Sequence, residues 1–93
     1  MIGIIDYGMG NLRSVINAVN YLGFDSLICN SPDDIDHTER IILPGVGTFS
    51  DCMKKLHNLK FVNKLNEEVL IKKKPVLGIC LGMQIMAKCS FEG

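Results

Sequence analysis

Three short apolar runs in this chain lead straight into glycine loops, and no other feature restricts the fold as much. Residues 2–6 precede Tyr7-Gly8-Met9-Gly10-Asn11, and Arg40-Ile41-Ile42-Leu43 precedes Pro44-Gly45-Val46-Gly47. Pro75-Val76-Leu77 precedes Gly78-Ile79-Cys80-Leu81-Gly82. Short runs without polar alternation read as strands buried on both faces. From Leu12 the spacing becomes helical, with Leu12, Val15, Ile16, Val19 and Leu22 on one face, Asn11 as N-cap and Gly23 as the stop. Residues 24–29 read as a second strand. Asn30-Ser31-Pro32-Asp33-Asp34 is turn chemistry in which Ser31 or Asp33 caps a short helical turn. Residues 48–73 predict a longer helical region broken near His57-Asn58, with Phe49, Met53, Leu56, Phe61, Leu65, Val69 and Leu70 facing inward. Lys72-Lys73-Lys74 suits a solvated helix end better than a nucleic-acid patch. Pro75 stops that helix, residues 76–79 read as a fourth strand, and residues 82 to about 89 start another helix.

The order β-α-β-β-α-β-α predicts an α/β fold, a parallel sheet with helices on both faces. Ligands of such sheets bind beyond the carboxyl ends of the strands. The loops at 7–11, 44–47 and 78–82 all fall on that rim. Chance supplies one such loop; three on one rim point to a site.

With 93 residues the chain amounts to one small domain or part of one. Ten basic and ten acidic side chains leave no net charge, so nothing suggests bulk attraction to nucleic acid or membrane. The apolar runs are too short to span a bilayer, and the N-terminus lacks the pattern of a signal peptide. Cys29, Cys52, Cys80 and Cys89 contain no C-x-x-C pair and no zinc-like spacing, so reduced thiols in the cytoplasm are the default. Cys29 fits a strand end, Cys52 a helix and Cys89 the last helix, all as packing residues. His37 and His57 lie in polar surroundings and are expected at the surface.

Cys80 differs from the other thiols in its setting. Gly78-Ile79-Cys80-Leu81-Gly82 is the sulfur version of a G-x-S-x-G nucleophile elbow, where a strand turns sharply into a helix with the nucleophile at the apex. Glycines two residues either side allow the cramped turn. A thiol at a helix N-terminus is biased toward thiolate. A buried structural cysteine in a tight turn would carry the same five residues, so the pattern alone leaves both readings open. A cysteine nucleophile attacking a carbonyl needs donors for the oxyanion. The N–H of Leu81 supplies one, and Pro44-Gly45-Val46-Gly47 suits the second, although those glycines would equally serve a tight strand-to-helix turn. A base is also required. His37 belongs at the opposite end of the sheet and His57 well inside a helix, so neither is expected to reach Cys80.

Taken together, Asp6-Tyr7-Gly8-Met9-Gly10-Asn11-Leu12-Arg13-Ser14-Val15, Leu43-Pro44-Gly45-Val46-Gly47-Thr48-Phe49 and Val76-Leu77-Gly78-Ile79-Cys80-Leu81-Gly82-Met83-Gln84 resemble the class I (triad) glutamine amidotransferase family. Within it they resemble the glutaminase subunits of imidazole glycerol phosphate synthase, and the resemblance runs over all 93 residues. It implies a flavodoxin-like fold, with Cys80 attacking the side-chain amide of glutamine to form a thioester and release ammonia, and it implies no cofactor. Val46 and Gly47 would lie on the oxyanion strand, where a peptide reorientation completes the hole, and Leu81 would give the other donor. Gly45, Gly47 and Gln84 would bind glutamine, and Asn11 would sit on the partner face. The implied partner is a cyclase subunit, a (β/α)8 barrel that uses the ammonia in histidine biosynthesis.

Family members run to about twice this length, and their histidine and glutamate match nothing here. The expectation is therefore the N-terminal part of a single amidotransferase domain, without turnover alone and with exposed apolar strand edge favouring oligomers or poor solubility. A paralogous glutaminase serving a sugar amidotransferase in surface-glycan synthesis, and a non-catalytic partner-binding half-domain, are the alternative readings.

Overall fold

The structure, a computed structural model, describes residues 1–79. Cys80, Leu81, Gln84, Cys89 and the helix expected from residue 82 lie outside the described residues. Four strands form one parallel sheet: β1 (Ile2–Ile5), β2 (Ser26–Cys29), β3 (Arg40–Leu43) and β4 (Val76–Gly78), in the spatial order β2-β1-β3-β4. The register sets Ile4 between Ile28 and Ile42, and Leu43 beside Gly78. Three helices connect the strands: α1 (Leu12–Tyr21), α2 (Phe49–Asn58) and α3 (Phe61–Asn66). A 3-10 helix, Pro32–His37, links β2 to β3, and a π-helical turn, Glu67–Ile71, follows α3.

Alternation along each strand sends side chains to two separate apolar layers. Ile4 and Ile42 face α1, where Val19 is buried and Leu12, Val15 and Ile16 pack alongside. Ile5, Ile41 and Leu43 face the other way, onto Ile35, Cys52, Leu56 and Phe61. Helices therefore cover both faces, as right-handed crossovers running in opposite directions from the centre of the sheet require. Phe61 is fully buried, and sequestering a side chain of that size contributes about 2–3 kcal/mol.

Several boundaries differ from the sequence expectation, each for a local reason. The second strand starts at Ser26 because Phe24 N–H still bonds back to Val19 O, and ladder pairing begins only where Ile2 N–H reaches Asp25 O. Leu22 is 70% exposed: it is the C-cap of α1, and Gly23, at φ +88°, turns the chain away before Leu22 meets the sheet. The break in the long helical region comes at Lys60, whose φ of +64° ends α2 and restarts the chain as α3. Glu68 is buried where Leu70 was expected, because the wider π turn, closed by Lys72 N–H to Glu67 O at 3.0 Å, breaks the phase of the 3.6-residue repeat.

The lysines at 72–74 are not simply solvated. Lys74 Nζ lies 3.2 Å from Glu68 Oε2 and donates to Ile35 O at 3.0 Å. β4 is the outer strand of the described sheet, and its Leu77 is 58% exposed beside Ile2 and Ile42, on a shallow apolar groove of about 210 Å3.

Candidate active site

The sheet reverses its winding between β1 and β3, and the loops leaving these two strands meet above that switch point. After β1, Asp6 N–H bonds Cys29 O at 2.9 Å while Asp6 Oδ2 accepts from Asn30 Nδ2 at 2.9 Å, tying the loop to the end of β2. Gly8 takes φ +85°, which turns the chain so that Tyr7 drops inward. Tyr7 is 1% exposed, and its hydroxyl donates to the carbonyl oxygen of Pro44. Burial first, and then the adjacent Cys52 thiol, push the phenol well above its ordinary pKa, so it stays a neutral donor. Asn11 closes the loop as the N-cap of α1, its Oδ1 accepting from Ser14 N–H at 3.3 Å with the residue exposed.

After β3, Pro44 and Gly45 are buried and Val46 is about half exposed. Gly47 turns the chain at φ +99°, and a Cβ there would stand 3.1 Å from Met9 Cε. Thr48 then caps α2, its Oγ1 accepting from Asp51 N–H at 3.1 Å. One turn further on, the buried Cys52 sits beneath the loop, and its Sγ–H donates to Val46 O at 3.7 Å. Close packing holds the first two loops together: a Cβ on Gly10 would stand 3.0 Å from Pro44 Cβ. The third loop begins beside them, since Ile79 N–H bonds Leu43 O at 3.0 Å and extends the pairing one residue past β4.

Between these loops lies a cleft of about 150 Å3, lined by Gly10, Asn11, Pro44, Gly45, Val46 and Ile79 among others. The structure thus brings together Asn11, Gly45 and Val46 from the expected site, with Gly47 at the edge of the same loop. Among the described residues no hydrogen bond engages the N–H of Gly45, Val46 or Gly47. Preorganised backbone donors beside a strand end are what an oxyanion requires.

The two histidines stand elsewhere. His37 ends the 3-10 helix just before β3 starts, on the opposite rim, and His57 is exposed in the last turn of α2. Cys29 is buried with its thiol pushed up to about 11, chiefly by burial and also by the charge of Asp34. Its Sγ–H donates to Leu27 O at 3.8 Å, which fits the packing role expected for it. Tyr7 and the loop-facing role of Cys52 were missed by sequence reasoning. The signal for Cys52 was present, since it lies four residues after the cap Thr48, one turn into α2 and back under the loop. Among the described residues no group of three or more His, Cys, Asp or Glu could hold a metal ion, and no helix is long and apolar enough to cross a membrane.

Comparison with known proteins fits this arrangement. The sequence model of the family "Glutamine amidotransferase class-I" matches residues 3–92. The chain is 51% identical over 90 residues to imidazole glycerol phosphate synthase subunit HisH 2 of Vibrio vulnificus, covering 96% of this chain and 42% of that protein. It is 50% identical to subunit HisH of Caldanaerobacter subterraneus and 47% identical to HisH 2 of Methanococcus maripaludis. Both matches cover all of this chain, and 45% and 46% of those proteins respectively. The chain therefore spans less than half the length of these curated relatives. A solved structure described as a glutamine amidotransferase superposes with a TM-score of 0.74 over 87% of this chain and 42% of that one. At 17% identity that likeness speaks for the fold alone. A parallel sheet wound both ways from its centre, two glycine loops meeting on one rim and a family match over nearly every residue lead to one conclusion: the chain belongs to the class-I glutamine amidotransferase family.

Proposed function

We propose that these 93 residues are the N-terminal part of a single glutaminase domain and carry its nucleophile. The Cys80 sulfur attacks the side-chain carboxamide carbon of glutamine, the C–N bond breaks, and the thiol proton leaves with the amine as ammonia. Water then hydrolyses the glutamyl thioester, releasing glutamate and restoring the thiol. Leu81 N–H and the loop at Val46 and Gly47 bind the oxyanion, while Gly45, Gly47 and Gln84 hold the substrate. Asn11 belongs to the face that meets a (β/α)8-barrel cyclase subunit, which takes up the ammonia to make imidazole glycerol phosphate. The relatives' printed names, subunits of imidazole glycerol phosphate synthase, support that choice of acceptor.

One observation carries the reading. Gly45 and Val46 of the loop 44–47, whose N–H groups take part in no hydrogen bond among the described residues, line the same cleft as Ile79, and Cys80 is the next residue in the chain. Neither His37 nor His57 stands on this rim, so neither is the base for Cys80. The test is alkylation by a diazo-ketone analogue of glutamine, mapped by mass spectrometry. Cys80 is expected to take the label, excess glutamine to slow it, and Cys29 and Cys52 to stay unmodified. Equal labelling of all four thiols would refute the assignment.

A further inference from the structure

We infer that Tyr7 and Cys52 are positioning residues that clamp the loop 44–47 from below and fix which of its N–H groups face the cleft. The inference rests on the glutaminase reading for its catalytic consequence and on geometry for its structural one. Tyr7 Oη donates to the carbonyl of Pro44, and Cys52 Sγ–H donates to the carbonyl of Val46 at 3.7 Å. Both side chains are buried on the core side of the loop, at 1% and 0% exposure. Every described peptide bond is trans, so a carbonyl turned inward sends the following N–H outward. With Pro44 O held by Tyr7, Gly45 N–H points toward Gly10, where a Cβ would stand 3.7 Å from the Gly45 nitrogen. With Val46 O held by Cys52, Gly47 N–H points away from the core.

The peptide between them is left alone. Among the described residues neither Gly45 O nor Val46 N–H takes part in a hydrogen bond. The loop is thus anchored on both sides of a single peptide unit, and turning that unit breaks no bond that the clamp makes. A glycine at one end of the unit removes the side-chain obstacle to such a turn. Loss of either anchor transfers the freedom to the flanking peptides and blurs the direction of the donors. Cys52 is the more informative of the two anchors, because a thiol is a weak donor and its removal deletes one atom from the packing.

The experiment compares the full 93-residue chain with its Tyr7→Phe, Cys52→Ala and Cys52→Ser variants. It measures hydrogen–deuterium exchange of the segment 44–52, where Thr48 holds the N–H groups of Asp51 and Cys52, and the rate of Cys80 labelling by the glutamine analogue. Tyr7→Phe is expected to speed exchange in that segment roughly fivefold and Cys52→Ala roughly threefold, the range of one modest buried hydrogen bond. Exchange in β1 and β3 is expected to stay unchanged, labelling to slow by similar factors, and Cys52→Ser, which keeps a donor, to recover most of both. Unchanged exchange at 44–52 in Cys52→Ala and Tyr7→Phe overturns the clamp whatever the labelling shows. Faster exchange with unaltered labelling overturns the positioning role while leaving the glutaminase reading intact. Absence of labelling at Cys80 in the parent chain counts against the glutaminase reading, and exchange then decides the clamp by itself.

Discussion

Glu68 offers the most demanding test of how this fold is held together. Its side chain is 1% exposed and shared by three lysines: Lys64 at 3.2 Å and Lys72 at 3.4 Å on Oε1, and Lys74 at 3.2 Å on Oε2. Replacing it with leucine affects the three unequally. Lys64 keeps Asp36 at 2.6 Å. Lys72 is half exposed and keeps Glu67 at 3.6 Å, so water screens its loss. Lys74, at 13% exposure, keeps only the carbonyl of Ile35. One largely buried ammonium is therefore left without a counter-charge. Breaking a buried pair costs about 3–5 kcal/mol, and with two of the three lysines compensated we expect Glu68→Leu to cost about 2–3 kcal/mol. Glu68→Gln keeps the shape and an acceptor and is expected to cost about 1–2 kcal/mol.

The pH dependence has a definite sign. Burial alone would raise the carboxyl pKa, but the ammonium charges of Lys74 and Lys64, each 3.2 Å away, outweigh it and hold Glu68 below its ordinary value. A depressed folded pKa means the contribution is complete above the unfolded value, about 4.3, and is lost as pH falls through the folded one. Urea unfolding followed by far-UV circular dichroism should show the full gap between parent and Glu68→Leu at pH 7. The gap should shrink below about pH 4. A difference under about 0.5 kcal/mol at pH 7, or one that is constant with pH, would refute the account of this cluster.

Two further outcomes bear on the cleft and the core. Gly10→Ala places a methyl 3.0 Å from Pro44 Cβ, forcing the two loops apart. It should destabilise the chain by about 1–3 kcal/mol and slow Cys80 labelling more than either clamp variant, whereas parent-like labelling would show that the loop contact does not shape the site. Cys29, buried and with its pKa near 11, should resist iodoacetamide at pH 8 in the native chain and react after urea is added. Native alkylation at the rate of a free thiol would contradict its burial.

The fold was legible because its information is local. The glycine loops after residues 2–6 and 40–43, the three- and four-residue spacing of α1 and the stop at Gly23 each follow from backbone sterics over a few residues. Parallel pairing then follows from the alternation of strands and helices. Legibility failed at Glu68, where the π turn broke the repeat, and at Leu22, where the chain turned one residue too soon to bury it. Both failures concern the phase of a helix end, where a single turn departs from the 3.6-residue repeat that the apolar spacing assumes.

The candidate site divides in the same way. The amino-acid sequence by itself determined the G-x-C-x-G pattern around Cys80, the loop 44–47 and the family to which both belong. Only tertiary structure decided that Tyr7 and Cys52 meet beneath that loop, one from the loop after β1 and one from the helix after β3. Their partners are main-chain carbonyls, Pro44 O and Val46 O, which every residue possesses and no side-chain pattern announces. A contact made to the backbone across 37 residues leaves no mark in the spacing of side chains, so it becomes visible only when the chain is folded.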